Sequence, residues 1–108
     1  MTARLPEPIR KYFKADITSP ETLSHCFTNT AVVKDEGKEY RGIEAIKKWF
    51  NDTSAKYDYS CEPIRLNHDT DFTIVTCEVT GNFPNSPLNL QYIFCLEETK
   101  IKSLEITL

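Results

Sequence analysis

The chain has 108 residues, close to the commonest length of a single domain, with 40% hydrophobic residues, 27% charged residues and a net charge of −3. This ordinary globular composition excludes a disordered chain, and the scattered lysines and arginines form no basic stripe for nucleic acid. No segment approaches the roughly 20 apolar residues that span a membrane, and the first residues lack the apolar run of a signal peptide. We therefore expect one cytoplasmic domain over residues 1–108, with neither nucleic acid nor a membrane as a partner.

The cysteines point to a reducing compartment. There are four of them, widely spaced and without a Cys-x-x-Cys pair: Cys26, Cys61, Cys77 and Cys95. With two histidines in the chain, this spacing favours reduced, partly buried thiols over a zinc site or a disulfide framework. We expect no metal.

The N-terminal part of the chain is predicted to form two helices. Apolar residues recur at helical spacing from Leu5 to Ile17 and place Tyr12 on the buried stripe of the first helix. The sequence Thr-Ser-Pro-Glu at residues 18–21 indicates a helix start, with either the threonine or the serine as its cap. The second helix is expected to bury three side chains: Leu23, Cys26 and Phe27.

A hairpin and a third helix follow. A β-branched run predicts a strand around Ala31, which an Asp-Glu-Gly turn interrupts before the chain resumes a strand at Lys38. Because side chains alternate along a strand, Asp35 shares a face with Val33 and points toward the core side. A third helix is predicted from about Gly42, with five residues in helical register: Ile43, Ile46, Trp49, Phe50 and Thr53.

The C-terminal half changes to a period of two, which predicts four strands near residues 57–66, 72–82, 88–96 and 101–108. The strand from Leu88 should turn its apolar set inward, namely Leu88, Leu90, Tyr92, Phe94 and Leu96. The side carrying Gln91 and Ile93 should face water or a second subunit. This element order indicates an α+β fold, with helices on one face of a mostly antiparallel sheet.

Three segments, taken with this element order, carry a resemblance: CFTNTAVVKDEGKEYRGIEAIKKWF, GNFPNSPLNLQYIF and KIKSLEI. In this combination the chain resembles the SnoaL-like branch of the nuclear transport factor 2-like superfamily, whose members include polyketide cyclases, ketosteroid isomerase and non-catalytic binding modules. The resemblance implies a cone-shaped, cystatin-like fold, in which three N-terminal helices pack on a curved sheet around a cavity. It also implies a homodimer formed through the outer sheet face.

The resemblance further implies chemistry for two residues. In isomerase-like and cyclase-like relatives, an aspartate at the position of Asp35 is the general base, and a tyrosine at the position of Tyr12 donates a hydrogen bond to the oxyanion. The implied activity is isomerisation or cyclisation by proton transfer next to a carbonyl, without a cofactor. The alternatives are structural: in these, Asp35 bonds only the backbone of its turn, and Tyr12 only packs in the core.

One feature departs from the isomerase pattern, because the second acid expected beside the tyrosine is replaced by Gln91 or Tyr92. Side-chain parity favours Tyr92 for the cavity, where a phenol can donate a hydrogen bond. Trp49 and Tyr57 are further candidates for contact with a small apolar ligand, since each carries a polar tip. Two other functions stay open: a homodimeric, non-catalytic module that binds a hydrophobic ligand or a protein, and a scaffold whose dimer is its function.

Overall fold

The computed structural model describes residues 5–15, 20–56 and 59–108, which form three helices and six strands. The helices are α1 (Glu7–Ala15), α2 (Pro20–Ser24) and α3 (Ile43–Lys56). The strands are β1 (Phe27–Asp35), β2 (Lys38–Arg41), β3 (Tyr59–His68), β4 (Thr73–Gly81), β5 (Leu88–Glu97) and β6 (Lys100–Thr107). This is the predicted order, with α3 following the first hairpin. No described helix is long and apolar enough to cross a membrane.

The second helix is shorter than predicted, so the assignment of Cys26 and Phe27 to its apolar face is wrong. The helix ends at Ser24, whose hydroxyl donates to the carbonyl of Glu21 at 2.7 Å. The carbonyl of Cys26 then accepts a hydrogen bond of 2.7 Å from the amide of Ile101 in β6. Phe27 is buried as expected, but as the first residue of β1. The predicted residues Ile17 and Tyr57, and the two predicted cap residues, lie outside the described ranges.

The strands form one mixed sheet in the order β2-β1-β6-β5-β4-β3. The pair β1–β6 is parallel, and the other four neighbouring pairs are antiparallel. The register shifts within β1–β6, β3–β4 and β5–β6. Because such irregularities bend a strand and increase its twist, they account for a sheet that curves around the helices.

Strand β5 confirms the predicted alternation of faces. Tyr92 and Phe94 are buried, whereas Gln91 is exposed. Helix α1 packs on the buried face: the ring of Tyr12 meets that of Phe94 edge-on at 5.5 Å, and Phe13 meets Tyr92 at 5.4 Å. Edge-on aromatic pairs contribute about 0.5–1.5 kcal/mol beyond the area that they bury. This cluster therefore holds α1 across the centre of the sheet.

Helix α3 is tied to β1 at its first turn. The amide of Gly42 donates to the carbonyl of Ala31 at 2.9 Å, and the carbonyl of Gly42 accepts from the amide of Ile46 at 3.0 Å. Gly42 has a φ of +87°, a backbone conformation that residues with a Cβ rarely adopt. Because Trp49 lies three residues after Ile46, on the same helix face, this anchor directs the indole toward the end of β1.

Candidate functional site

A cavity of about 680 Å³ lies between α1, α3 and the inner face of the sheet. Its walls are mainly aromatic and aliphatic, and include Tyr12, Trp49, Tyr59, Val79, Leu90 and Tyr92. Phe83 and Pro84, in the loop between β4 and β5, form part of its lining, as does Leu108 after β6. A concave, largely apolar space with a few polar groups is the usual form of a small-molecule site.

Asp35 lines this cavity as the last residue of β1. The turn after it consists of Glu36 and Gly37, which both have positive φ, at 54° and 77°. A two-residue turn with positive φ at both positions has a backbone twist that matches the right-handed twist of the strands it connects, so the hairpin can be tight. Ala31 and Val33, on the same strand face, are fully buried. The alternation predicted from the sequence therefore places the Asp35 side chain on the inner sheet face, where it lines the cavity.

Two donors hold the Asp35 carboxylate. The indole nitrogen of Trp49 donates to Oδ2 at 3.0 Å, and the backbone N–H of Glu36 donates to the same carboxylate. The sequence left open whether Asp35 faces the cavity or bonds its own turn. In the structure Asp35 does both: it lines the cavity and accepts a hydrogen bond from the backbone of its turn. Trp49 is only 5% exposed, and its ring lies 6.2 Å from that of Tyr40, so packing holds the indole donor in place. The turn holds the other donor, the backbone N–H of Glu36.

Burial raises the pKa of Asp35 above its ordinary value of 3.8. The hydrogen bond from Trp49 lowers this pKa, and the neighbouring charge of Glu36 raises it, but the loss of hydration is the largest effect. Asp35 forms no ion pair with any described residue. The result is a carboxylate that binds a proton more readily than one in water.

Tyr12 and Tyr92 meet on another wall of the cavity, with ring centroids 6.2 Å apart. The thiol of Cys61 donates to the phenolic oxygen of Tyr92 at 3.7 Å. Burial raises the pKa of Tyr92 well above 10.0, and the neighbouring Cys61 raises it further. Tyr92 therefore stays a neutral phenol at physiological pH. Gln91, the other residue considered for this position, faces outward and is exposed.

Of the five candidate residues, four line the same cavity: Tyr12, Asp35, Trp49 and Tyr92. Tyr57 lies outside the described residues. Trp49 differs from expectation in one respect, because its N–H group is directed to Asp35 and not left for a ligand. Glu36 and Glu105 also belong to the cavity lining and were not predicted from the sequence. Nothing local signals Glu105, which strand pairing sets beside Lys34 and Ile93, so that its side chain lies on the sheet face opposite Asp35.

Other chemistries find little support in the described residues. His25 and His68 are exposed and do not line the cavity. The four cysteines are free thiols, two buried and two partly exposed. Within the described ranges, no group of three or more His, Cys, Asp or Glu side chains is arranged to hold a metal ion.

No protein-family model matches the chain, and no curated protein matches its sequence. Among solved structures, SMa1630 from Sinorhizobium meliloti, a candidate polyketide cyclase, is 36% identical to this chain with a TM-score of 0.91. The match covers 95% of this chain and 95% of SMa1630. A ketosteroid isomerase-like fold from Catenulispora acidiphila, solved with trimethylamine, is 18% identical with a TM-score of 0.84, over 97% of this chain and 87% of its own. SalBIII, an epoxide hydrolase/cyclase-like enzyme of pyran ring formation in salinomycin, is 23% identical with a TM-score of 0.78, over 94% of this chain and 87% of its own.

Helices on a curved mixed sheet around a cavity define the nuclear transport factor 2-like class of α+β proteins. Within that class, the chain belongs to the SnoaL-like family, because its similarity to the Sinorhizobium protein extends over nearly all of both sequences. The two more distant structures show the shared fold alone. Since one fold hosts many functions, activity has to be argued from the cavity.

The tryptophan fluorescence should report the titration of Asp35, because Trp49 is the chain's one tryptophan and donates directly to that carboxylate. We expect the emission to change with an apparent pKa above 3.8. Asp35→Asn should remove this transition, since asparagine keeps an acceptor for the indole but does not titrate. Asp52→Asn, an exposed change on the same helix, should leave the transition in place. A transition that persists in Asp35→Asn would show that Asp35 is not the group that titrates.

The raised pKa of Asp35 also predicts how stability depends on pH. The folded state holds the Asp35 proton more tightly than the unfolded state, so the free energy of unfolding should fall as pH rises from about 3.8 through the folded-state pKa. Asp35→Asn lacks this pH dependence, because asparagine does not titrate. Urea unfolding at a series of pH values should therefore show that the free energy of unfolding of the variant rises relative to that of the wild type across that window. A constant difference between the two proteins would contradict the assigned shift.

Proposed function

We propose that this SnoaL-like protein binds a small apolar carbonyl compound and moves a proton next to the carbonyl, as an isomerase or cyclase does. Asp35 is the base, and Tyr92 and Tyr12 stabilise the oxyanion. One observation carries the proposal: a half-buried carboxylate with a raised pKa, held by an indole N–H group, lines an apolar cavity large enough for a small molecule. Perturbed carboxylates in such cavities are frequent catalytic bases.

In the proposed step, the Asp35 carboxylate takes the proton from the carbon next to the carbonyl. The electrons of the broken C–H bond form the C=C bond of an enolate, and the carbonyl oxygen becomes an oxyanion. Asp35, now protonated, returns the proton to the same carbon or to a conjugated carbon. Alternatively, the enolate carbon attacks a second carbonyl of the same molecule and closes a ring, and the alkoxide formed from that carbonyl takes the proton from Asp35. Each step balances with side chains alone and needs no cofactor.

Tyr92 is suited to the oxyanion because it replaces the missing second acid with a neutral donor. Its phenolic oxygen lies 3.7 Å from the sulfur of Cys61, and we propose that the phenol proton turns to a ligand oxygen when the cavity is filled. A donor that is held in place before the reaction stabilises developing charge without reorganising. Tyr12, buried beside Tyr92, is proposed as the second donor. Trp49 positions Asp35 through its N–H group and presents its ring to the ligand, and Tyr57 is retained as a proposed ligand contact.

Deuterium exchange tests the proposal without knowledge of the natural substrate. Benzylacetone, an apolar ketone, is incubated with the protein in heavy water, and exchange next to its carbonyl is followed by NMR. The wild type should accelerate the exchange, and Asp35→Asn should reduce the acceleration by about a hundredfold or more. Tyr92→Phe should reduce it by about a hundredfold, because one oxyanion donor is lost.

The matched control is Asp71→Asn, an exposed change in the turn before β4. It should keep the wild-type rate. Equal rates in Asp35→Asn and the wild type would remove Asp35 as the base. Circular dichroism of each variant checks that the fold is retained.

A second candidate is a non-catalytic, homodimeric binding module, and one surface favours it. On the outer sheet face, Ile93 of β5 pairs with Ile74 of β4, and both are only half-buried in the single chain. Cys95, on the same face, is also partly exposed. A second copy of the chain would cover these apolar side chains. We propose a homodimer through this face, which is compatible with either function of the cavity.

Sedimentation tests the proposed dimer. The wild type should sediment as a dimer, and Ile93→Glu should shift it to monomer by placing a charge in the apolar part of the interface. Phe72→Glu, an equally drastic change at an exposed residue in the turn before β4, should leave the dimer intact. A wild-type protein that is monomeric at all concentrations would contradict the proposal.

A further inference from the structure

One aliphatic side chain separates the proposed base from the proposed oxyanion donor on the sheet. Ile106 of β6 is in register with Asp35 of β1 on one side and with Tyr92 of β5 on the other. All three residues line the cavity. Because neighbouring strands lie about 4.8 Å apart, the backbones of Asp35 and Tyr92 are about 10 Å apart, with Ile106 between them. A ligand that contacts both residues therefore crosses the side chain of Ile106.

The inner sheet face behind this row is closed to a ligand. The preceding row in the same three strands consists of residues that are each at most 1% exposed: Val33, Leu104 and Phe94. Helix α1 covers this row, with the ring of Tyr12 meeting that of Phe94 at 5.5 Å. Ile106, two residues after Leu104, is only partly buried and lines the cavity. The cavity thus begins at the row that contains Ile106.

Two walls of the cavity meet at the Asp35 carboxylate. On the helix side, the indole nitrogen of Trp49 donates to the carboxylate at 3.0 Å, and this side chain is only 5% exposed. On the sheet side, the neighbouring residue of β6 is Ile106. A carbon atom that approaches the carboxylate from the cavity therefore passes between an indole and an isoleucine side chain. Because Ile106 carries no polar side-chain group, it distinguishes ligands only by their shape.

The side chain of Ile106 is held in place. It packs against the hydrophobic core, and its branched Cβ restricts rotation about χ1. An additional methyl group on the ligand at this point would force the isoleucine out of a packed position, which is unfavourable. In an apolar site, one methylene group changes the ratio of kcat/KM between two substrates by about 10- to 200-fold. One aliphatic residue beside the base is therefore sufficient to decide which carbonyl compounds react.

We propose that Ile106 is a specificity-determining residue, which admits carbonyl compounds with an unbranched carbon next to the carbonyl and rejects those with a branched one. When one hydrogen of that carbon points at Asp35, its second hydrogen lies against Ile106. A methyl group in place of the second hydrogen would overlap with the isoleucine side chain. The inference rests on the proposed function and narrows its substrate class to compounds that lose a proton from a methyl or methylene group next to the carbonyl.

Two ketones that differ by one methyl group test the inference. Benzylacetone has a methylene group between its carbonyl and its benzyl group, and 3-methyl-4-phenyl-2-butanone has a methyl-substituted carbon at the same place. Deuterium exchange at this carbon is followed by NMR, and each rate is divided by the rate in buffer alone, which removes the difference in intrinsic reactivity. Affinity for each ketone is measured separately through the fluorescence of Trp49. The wild type should accelerate the exchange of benzylacetone at least about tenfold more than that of the branched ketone, and should bind it more tightly.

Two variants of the cavity wall assign this preference to Ile106. Ile106→Val, which loses one methylene group, should accelerate the exchange of the branched ketone by about tenfold and tighten its binding, while benzylacetone changes by less than about threefold. Leu90→Val removes a methylene group from the same cavity at a position that is in register with neither Asp35 nor Ile106. This control should change both ketones alike and leave the ratio between them as in the wild type. Circular dichroism checks that each variant is folded.

The outcomes separate this inference from the proposed function. If benzylacetone exchanges but Ile106→Val leaves the ratio between the ketones unchanged, the inference is wrong and the proposed function stands. If neither ketone exchanges but Ile106→Val binds the branched ketone selectively more tightly, Ile106 limits the shape of the ligand and the proposed function is wrong. If the wild type neither exchanges nor binds either ketone, both are wrong.

Discussion

The hydrogen bond between the indole of Trp49 and the carboxylate of Asp35 is the contact on which the site depends. It joins the middle of α3 to the last residue of β1, and so relates the helical layer to the sheet at the edge of the cavity. The geometry follows from two backbone features, the tight turn after Asp35 and the glycine that starts α3 against β1. A donor on a packed aromatic side chain holds the carboxylate in one orientation without neutralising it.

That arrangement carries an energetic cost, because a half-buried carboxylate loses hydration without gaining a counter-ion. A protein whose only requirement is its fold has no reason to keep such a group beside a cavity. This cost favours the ligand site that we propose for the cavity.

Much of the fold was predictable because its elements have clear periods. Alternation along β5 assigned Tyr92 to the cavity side and Gln91 to the outside, and helical spacing placed Tyr12 and Trp49 on buried stripes, as the structure has them. The error at Phe27 has a physical cause: burial alone does not distinguish a helix from a strand when an apolar residue stands at their junction. There, a hydrogen bond from β6 to the Cys26 carbonyl decides the backbone.

The sequence by itself determined which side chains point inward, because the periods of helix and strand are local properties that each segment shows alone. It also determined that Asp35 ends a strand at a tight turn. Only the tertiary structure decided which inward groups meet: that the Trp49 N–H group reaches Asp35, and that Cys61 reaches Tyr92. Those contacts join segments far apart in the chain, and they depend on the order and register in which strands pair, which no local pattern encodes.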